Sequence, residues 1–514
     1  MKKKLLFLFL LFTVKSFAQV PEDAIRYSWY VPNGSARNIA TGGAMGSLGG
    51  EITAPFVNPA GLAMYKTSEF VFSPGFIINK NINSYRETNT SNNKNAFDIG
   101  TTGIIVGIPN FKNPSRNSAI SIVFNKKTSF NNVLNYGGLN NYSSFSEQFA
   151  EEFAKSNLSI GTVLNSNSPL PYTAAPALYT YLIDTVSING TLQIKAAPEY
   201  LLDSGKSLQQ NLSRKTFGGL YEWAFAFATK LNEQWQLGAT FGIPIINYHS
   251  NTTFSETDIS GDSTNHFTSF SYTDDFKTYG SGFNLKIGAI FRPRDYIRLG
   301  FAFHTPDFML LKDTRTTFLS TQLDNPVSTY SVSSTTFTNN QPGESNYSFN
   351  TAWKAIISGS YVFREVENVK NQKGFITADI EYVKHKGSRF QSSNENVTTE
   401  EQSYYTALNN VIKENYKGTF NFRVGGELKF NVIMTRIGFA YYGNPYMDQA
   451  FKASQMLLSG GLGYRNNGFF IDLTYAYHIT RNVDLPYRLE DRANTFANLK
   501  QNQQNILATI GIKF

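Results

Sequence analysis

The chain has 514 residues, of which 15% are aromatic and only 16% are charged, and it contains no cysteine. Without cysteine the chain has neither disulfides nor thiolate metal sites. The formal net charge of +8 falls to +4 once the four lysines of residues 1–18 are set aside, a balance too modest to indicate nucleic-acid binding.

Residues 1–18 have the pattern of a secretory signal peptide. Three lysines precede the apolar run 5–14, and the small residues Ser16 and Ala18 suit cleavage before Gln19. The run is about half the ~20 residues that a membrane-spanning helix needs. No cysteine stands near the cleavage point, so no lipoprotein anchor is expected. We therefore expect residues 1–18 to be removed on export.

The next segment, residues 19–66, is rich in apolar residues but does not alternate like a strand. It contains Ile25, Trp29 and Phe56, whose side chains need burial. Its glycine-rich stretch 42–50 lacks the G-x-G-x-x-G spacing between a strand and a helix that a dinucleotide-binding loop requires. The glycines instead indicate a backbone that folds tightly in a confined space.

From residue 67 onward, apolar residues alternate with polar or small ones over segments of about ten residues. In 420–430, for example, Phe422 and Leu428 share one face, whereas Arg423 and Glu427 share the other. The apolar faces carry aromatic residues near their ends, as the interfacial girdle of a membrane barrel requires. The pattern predicts fourteen strands, over 67–79, 96–108, 118–129, 216–230, 234–248, 276–292, 295–305, 350–363, 374–386, 418–430, 433–443, 455–465, 468–479 and 505–514.

The connectors between the predicted strands alternate in length, as periplasmic turns and outer loops do in membrane barrels. Past the signal peptide, no apolar run reaches the ~18 residues of a helical span. We therefore predict an all-β fold: a 14-stranded antiparallel transmembrane β-barrel over residues 67–514, in the outer membrane of a Gram-negative bacterium, with both chain ends on the periplasmic side. The short connectors include 231–233, 293–294, 431–432 and 466–467, and the long ones are 80–95, 130–215, 249–275, 306–349, 387–417, 444–454 and 480–504.

A barrel of this width is not filled by its own side chains, so its interior is a channel or holds a plug. We predict that residues 19–66 are that plug. A two-residue turn at 431–432 places Glu427 opposite Arg436, which predicts an ion pair inside the barrel. Strand parity turns further charges inward, and a basic excess there would suit an anionic head group. The candidate lumen charges are Arg298, Arg423, Arg436 and Glu427.

Two features disturb the predicted wall. Lys126 and Lys127 are consecutive in the third strand, so one of them should face lipid unless it lies at the rim. Pro74 in the first strand has no backbone N–H to donate, which indicates a local break in pairing.

The long loop 130–215 contains two apolar patterns. Phe145, Phe149 and Phe153 recur every four residues on one helical face, and a second apolar stretch covers 176–186. These helices either pack together or present a groove on which a ligand lands. A third helix is predicted within 399–415, where it would cap the barrel mouth. The candidate capture residues are Phe145, Phe149, Phe153, Leu178, Tyr181 and Leu182.

The stretch from Ala36 to Ala63 resembles the N-terminal hatch of the FadL/TodX family of outer-membrane transporters, with GGAMGSLGG followed by NPAGL. The resemblance implies a fourteen-stranded barrel that admits long-chain fatty acids or aromatic hydrocarbons without energy coupling. A ligand lands on the outer loops, moves to a pocket above the hatch and leaves when the hatch rearranges. Some members open sideways at a kink in the third strand. The residues that match the hatch are Gly42, Gly43, Gly46, Gly49, Asn58, Pro59, Ala60, Gly61 and Leu62.

The expected partners follow from this assignment. They are a hydrophobic small molecule, outer-membrane lipid and the barrel-assembly machinery, which the terminal aromatic Phe514 would engage. We expect a monomer that uses no cofactor and no metal and binds no nucleic acid.

Three other functions compete with this one. An enzyme would need a placed histidine, and none of the five histidines lies in a recognisable catalytic motif, so we expect no enzyme. A haemin receptor would need axial His, Tyr or Met ligands, and no distinctive pair stands out. A secretion-associated barrel would dock exported proteins on its outer loops and hold no ligand inside.

Overall fold

The computed structural model describes residues 21–110, 113, 116–188, 191–324, 326–363 and 373–514. The predicted signal peptide, 1–18, and the first two residues of the predicted plug lie outside this part of the chain. The α-helices of the described residues are α1 (Pro21–Arg26), α2 (Ala36–Ala40), α3 (Ala54–Val57), α4 (Glu147–Ser156), α5 (Ile160–Val163), α6 (Ala174–Tyr179), α7 (Ala197–Asp203) and α8 (Thr399–Asn415). Short 3-10 helices cover Pro59–Met64, Ser334–Phe337 and His385–Gly387. Within the described ranges, no helix combines the length and the apolarity that a membrane span requires.

The strands of the described residues lie between Glu69 and Lys513. The first eleven are β1 (Glu69–Phe72), β2 (Pro74–Tyr85), β3 (Thr88–Ile99), β4 (Thr102–Ile108), β5 (Ser118–Ser129), β6 (Asn132–Asn140), β7 (Ile183–Ile188), β8 (Thr191–Ala196), β9 (Leu208–Lys230), β10 (Trp235–Asp258) and β11 (Ser269–Arg294). The others are β12 (Ile297–His304), β13 (Phe308–Asp324), β14 (Val327–Ser333), β15 (Gly343–Asn350), β16 (Lys354–Phe363), β17 (Gly374–Lys384), β18 (Arg389–Ser392), β19 (Gly418–Phe430), β20 (Ile433–Tyr442), β21 (Ser454–Asn466), β22 (Phe469–Asp484) and β23 (Ala497–Lys513).

These segments build a fourteen-stranded antiparallel barrel, which confirms the predicted fold class. Six barrel strands consist of two segments each, and the barrel closes where β1 and β2 pair with β23. In chain order the barrel strands are β1 with β2, β3 with β4, β5 with β6, β9, β10, β11, β12 with β13, β15 with β16, β17 with β18, β19, β20, β21, β22 and β23. The β7–β8 hairpin stands apart from the barrel sheet, and β14 extends the sheet beside β13 in an outer loop.

The wall has the expected two faces. Along β19, Phe422 is 49% exposed outside the barrel while its neighbour Arg423 is buried inside. The same alternation runs through β22, where Ile471, Leu473 and Tyr475 are exposed between buried neighbours. A continuous outward band of exposed aromatic and aliphatic side chains suits the hydrocarbon of a bilayer, so we treat the strands as membrane-spanning.

Several strands extend well beyond their predicted ends. β9, β10 and β11 continue as long ribbons on the outer side, and β13 occupies residues expected to be an irregular connector. These extensions are rich in Thr, Ser, Asn and Gln and carry only scattered apolar residues such as Phe254 and Phe270, so the apolar alternation that would mark them in the sequence is weak. The backbone N–H and C=O groups of these extensions form hydrogen bonds with the neighbouring strands.

The N-terminal segment enters the barrel from an unexpected end. The Tyr416 hydroxyl donates to the Pro21 carbonyl at 3.1 Å, and Arg488 forms an ion pair with Glu22; both partners belong to long outer connectors. At the opposite end, Ser68 exchanges backbone hydrogen bonds of 3.0 Å with Phe514. The expectation that the plug segment starts on the periplasmic side is therefore wrong for the described chain, which starts near the outer mouth and descends through the lumen.

Candidate functional site

Residues 21–66 occupy the barrel lumen and are fastened to its wall. The amide of Asn58 is the main anchor, since Nδ2 donates to Gly46 O at 2.6 Å and lies 3.2 and 3.3 Å from the carbonyl oxygens of Ala289 and Phe301 in the wall. Its Oδ1 accepts from the Ala60 amide at 3.1 Å and caps the 3-10 helix that Pro59 begins. Asn58 and Pro59 thus form the corner at which the segment meets the wall.

The glycines of the hatch motif serve two geometric needs. Gly42, Gly43 and Gly49 have φ values of 65°, 77° and 67°, in the left-handed region that other residues adopt only with strain. Gly46 has an ordinary conformation but sits so close to the wall that an added Cβ would lie 2.8 Å from the Ser358 Cβ. The segment therefore folds sharply while its backbone stays close to the strands.

The wall itself provides matching glycines, which the sequence pattern did not reveal. A Cβ at Gly438 would lie 2.0 Å from the Gly42 nitrogen, and one at Gly425 would lie 2.2 Å from the Thr41 oxygen. Backbone-to-backbone packing of this kind leaves no room for any side chain. The lumen-facing glycines that contact the backbone of the N-terminal segment in this way include Gly100, Gly238, Gly300, Gly425 and Gly438, and Gly288 makes room in the same manner for the Asn58 side chain.

A buried ion-pair chain links the segment to the wall. The predicted turn register is the one observed, and Arg436 Nε lies 2.6 Å from Glu427 Oε2. Arg37 of α2 reaches the same carboxylate oxygen through Nε at 3.1 Å, and Arg436 continues to Asp472 at 2.6 Å. Glu427 is therefore shared between the wall and the N-terminal segment.

The other predicted lumen charges also lie inside and have partners. Arg423 Nη2 is 3.4 Å from Glu381 Oε2, and Arg298 Nη1 donates to the Leu48 carbonyl of the N-terminal segment at 2.8 Å. The Gly46 amide donates to Asp379 Oδ2 at 3.2 Å. These lumen charges are thus engaged in holding the segment and balancing one another.

A small cavity remains beside the N-terminal segment in the lumen. A cavity of about 80 Å³ lies beside the segment, between Tyr30 and a charged cluster of the wall. In that cluster Lys127 Nζ lies 3.0 Å from Glu222 and 2.9 Å from Asp307, and Lys286 also pairs with Glu222. Cavities that hold small organic ligands usually measure about 300–1,000 Å³. This cavity is therefore too small for such a ligand.

The barrel wall has a gap on one side. Pairing between the second and third barrel strands stops at Thr102 and Phe124. Above that point β6 turns inward and pairs with β9, while β3 pairs with β2, and no ladder joins β3 to β6 in the part of the chain described. Side-chain amides of β2 hold β6 beneath the wall: Asn81 and Asn83 donate to carbonyls of β6 at 2.5 and 2.9 Å, and Asn79 donates to the carbonyl of the residue just before β6 at 2.9 Å.

The N-terminal segment fills this gap at Asn33 and Gly34. The Asn33 amide donates to the Lys127 carbonyl of the third strand, and the Thr101 amide of the second strand donates to the Gly34 carbonyl, both at 3.1 Å. The Asn33 side chain donates to Asp98 at 2.7 Å. Two residues of the segment thus take the place of the missing strand pairing.

The two consecutive lysines of the third strand both turn away from lipid. The register of β5 against β9 shifts between Lys126 and Thr128, as at a β-bulge. The extra residue interrupts the alternation of side chains, so two consecutive residues can both face away from lipid. Lys126 pairs with Asp98 at 3.0 Å and Lys127 with the lumen carboxylates, and both side chains are largely buried. The expected lipid-facing lysine is therefore absent. The break expected at Pro74 is present, since Ser73 separates β1 from β2.

The candidate capture residues form the core of an outer cap in place of an open surface. Phe145, Phe149, Phe153, Leu178 and Leu182 are all buried in one apolar cluster, and Phe145 stacks on Phe254 of β10 with ring centroids 4.4 Å apart. Tyr181 differs, because it is 52% exposed and packs edge-on against Tyr330. The second predicted helix covers only Ala174–Tyr179 and gives way to β7, whereas the third is present over its full predicted length.

Glu147 is a buried acid of this cap. Burial raises the pKa of its carboxyl to about 7, although its Oε1 accepts from the Ser144 amide and its Oε2 lies 3.1 Å from Arg492. Among the described residues, no three His, Asp or Glu side chains are placed to hold a metal ion. Histidines of the lumen have structural contacts: His304 Nε2 lies 3.0 Å from Val57 O, and His385 Nδ1 lies 3.2 Å from Ser28 Oγ.

Comparisons with known proteins agree with this architecture at the level of the fold. The chain matches no protein-family model and no curated protein. Among solved structures it is similar to a Pseudomonas aeruginosa FadL homologue, with 14% identity, 94% of this chain and 99% of the other covered, and a TM-score of 0.51. It is also similar to the Pseudomonas putida toluene transporter TodX, with 11% identity, 94% and 98% covered, and a TM-score of 0.50. The chain therefore has the FadL/TodX-type fold.

Proposed function

We propose that this protein is a passive outer-membrane channel for hydrophobic small molecules. The observation that carries the proposal is the coincidence of a lumen closed by residues 21–66 with a wall gap closed by Asn33 and Gly34 of the same segment. A single rearrangement of that segment would open the lumen and the gap together. This mechanism requires binding of the ligand but no coupling to an energy source.

The gap suits a ligand that prefers hydrocarbon to water. It lies beside the free edge of β3, where Phe97 is 66% exposed on the lipid side. A hydrophobic molecule that leaves the lumen here enters the bilayer without crossing bulk water, which avoids the cost of exposing apolar surface. The fold shared with a FadL homologue and with a toluene transporter supports a hydrophobic ligand.

The substrate classes that we propose are long-chain fatty acids and aromatic hydrocarbons. Capture would begin at the outer cap, whose apolar cluster is covered by exposed tyrosines, and would end with displacement of the hatch. We further propose that the protein works as a monomer in the outer membrane, is exported by cleavage of residues 1–18, and is recognised by the assembly machinery through the exposed Phe514. No catalytic activity is proposed.

Lipid extraction of the barrel purified in mild detergent tests the proposal. We expect mass spectrometry to find a fatty acid or hydrocarbon, and we expect uptake of a fluorescent fatty acid by cells to depend on the protein. A haem absorbance band in the purified protein would instead indicate a haemin receptor. A tightly bound exported polypeptide, with no small molecule and no uptake, would favour the secretion-associated role.

A further inference from the structure

A groove on the outer rim of the barrel lies apart from the lumen. β17 and β19 pair as far as Lys384 and Gly418, and above that point the wall splits. The chain turns through His385–Gly387 into β18, and helix α8 lies along β18 in place of another strand. The Asn409 side chain fixes the helix there, since its Nδ2 and Oδ1 each form a 2.8 Å hydrogen bond with the backbone of Phe390. The groove between β18 and α8 has a volume of about 770 Å³.

The groove is strongly basic. Its lining includes Lys384, Lys386, Arg389 and Lys413, and of the described residues that line it none is an aspartate or glutamate. None of these four cations forms an ion pair with any carboxylate in the described ranges. The last three are solvent-exposed, and Lys384 lies 5.8 Å above the ring of Trp353. Four like charges thus line one groove with no carboxylate among its described lining residues, although mutual repulsion makes such an arrangement unfavourable.

The groove lies just above the aromatic belt of the barrel. Trp353 packs against Tyr382 with ring centroids 5.6 Å apart, and Tyr382 packs against Phe420 at 5.1 Å. Aromatic belts mark the boundary between hydrocarbon and head groups. Lys384 follows Tyr382 by two residues on the same outward face of β17, so the cations stand at the level of the lipid head groups.

We propose that this groove binds the phosphate-bearing head group of an outer-leaflet glycolipid. Lysine and arginine side chains are the usual donors to phosphate oxygens, and four of them match a head group that carries more than one negative charge. The volume suits a phosphorylated sugar, since ligand sites usually span about 300–1,000 Å³. Gln402 and Asn410, which also line the groove, can hydrogen-bond to sugar hydroxyls. This site is independent of the proposed channel function.

The test uses the full-length barrel in phosphatidylcholine nanodiscs doped with lipid A, followed by native mass spectrometry of the released complex. We expect lipid A to remain bound to the wild type. The variant K384Q/K386Q/R389Q/K413Q should lose it, because each cation near an anionic surface contributes about fivefold in affinity and the four together contribute about six-hundredfold. The matched control, K80Q/K215Q/K452Q/K500Q, removes four exposed lysines outside the groove and should retain the lipid.

Further measurements distinguish a head-group site from a simple anion site and from a general effect of charge. If the groove binds the whole head group, excess inorganic phosphate should not displace lipid A. Displacement by phosphate alone would show a simple anion site and overturn the proposal. Equal lipid A retention by the groove variant and the wild type would also overturn it, provided that both run as folded barrels on unheated gels. Loss of retention in the control variant to the same extent would show a general charge effect and contradict a defined site.

Discussion

The side-chain amide of Asn33 lies 2.7 Å from Asp98 at the free edge of β3, so a residue of the lumen segment is bonded to a stretch of wall that lacks its neighbouring strand. Asp98 in turn pairs with Lys126 across the gap. The segment that fills the lumen and the segment that closes the wall are therefore the same. This relationship makes a coupled opening the simplest consequence of any movement of residues 21–66.

Substitution of Asn33 by alanine should loosen the wall gap. The change removes the hydrogen bonds to Asp98 and to the Ile99 carbonyl while leaving the backbone bond to Lys127 in place. A hydrogen bond to a charged group contributes about 1.5–3 kcal/mol, so the population of the open gap should rise by at least tenfold. Swelling or dye-efflux assays in proteoliposomes measure the change. An unchanged rate, with a folded barrel, would mean that Asn33 does not hold the gap.

Adding a methyl group to a wall glycine that contacts the N-terminal segment should displace the segment from its position in the lumen. Gly438→Ala places a Cβ 2.0 Å from the Gly42 nitrogen, whereas Gly460→Ala on the adjacent strand meets nothing closer than 3.6 Å. Overpacking of a buried contact costs about 1–3 kcal/mol, and here the segment can relieve it by moving. We expect increased leak from Gly438→Ala and none from Gly460→Ala, with similar barrel stability in both. Equal leak from the two variants would contradict the proposed seating.

The shared carboxylate of Glu427 should matter more for stability than its partner on the segment. Glu427→Gln leaves Arg37 and Arg436 facing each other without that negative charge, whereas Arg37→Met leaves Glu427 paired with Arg436. Removal of one member of a buried ion pair costs about 3–5 kcal/mol when a charge is stranded. Thermal unfolding followed by gel mobility should therefore show a larger loss for Glu427→Gln. Identical midpoints would show that the network is hydrated enough to screen both changes.

The outer cap should loosen as the pH rises through neutrality. The pKa of Glu147 is about 7 in the folded cap, well above the ordinary value of 4.5, because burial disfavours the charged carboxylate. Between these two values the folded cap holds a proton that the opened cap releases, so the free energy of opening falls as the pH increases and the stabilisation is lost above about 7. Hydrogen exchange of α4, corrected for intrinsic rates, should be faster at pH 8 than at pH 6. In Glu147→Gln this difference should shrink, and the remainder should come from Glu256, whose pKa burial also raises to about 7 and whose carboxyl group accepts from the Phe145 amide.

Much of the barrel could be predicted from the sequence, for a clear physical reason. A strand with one face in hydrocarbon must alternate, so residues such as Phe422 and Arg423 reveal both the strand and the direction in which each side chain points. The short turn at 431–432 fixed the register of its hairpin, and with it the contact between Glu427 and Arg436. The outer extensions of β9 to β11 show this pattern only weakly, because one face packs on the cap through a few scattered apolar residues such as Phe254 and Phe270, and the other residues are mostly polar.

The candidate site was less predictable because it depends on distant contacts. Gly438 looks like any small lumen residue until the Gly42 backbone is placed against it, and no local pattern links Asn33 to Asp98. The apolar spacing of Phe145, Phe149 and Phe153 correctly indicated a shared face, but the same spacing describes a buried core and an exposed groove equally well. The prediction that Lys126 or Lys127 faces lipid was wrong, because a bulge in β5 interrupts the two-residue alternation of side chains on which that prediction was based.

Locking the N-terminal segment to the wall tests the central claim most directly. Ser47 Oγ lies 3.0 Å from Ser360 Oγ of β16, and the chain has no native cysteine, so S47C/S360C offers a single reducible cross-link. S118C/T229C is the matched control, since those hydroxyls are also 3.0 Å apart but join two wall strands and leave the segment free. We predict that oxidation of S47C/S360C abolishes uptake of a fluorescent fatty acid or hydrocarbon and that reduction restores it, while the control transports in both states. Full transport through the oxidised S47C/S360C barrel, with the cross-link verified by mass spectrometry, would contradict the account.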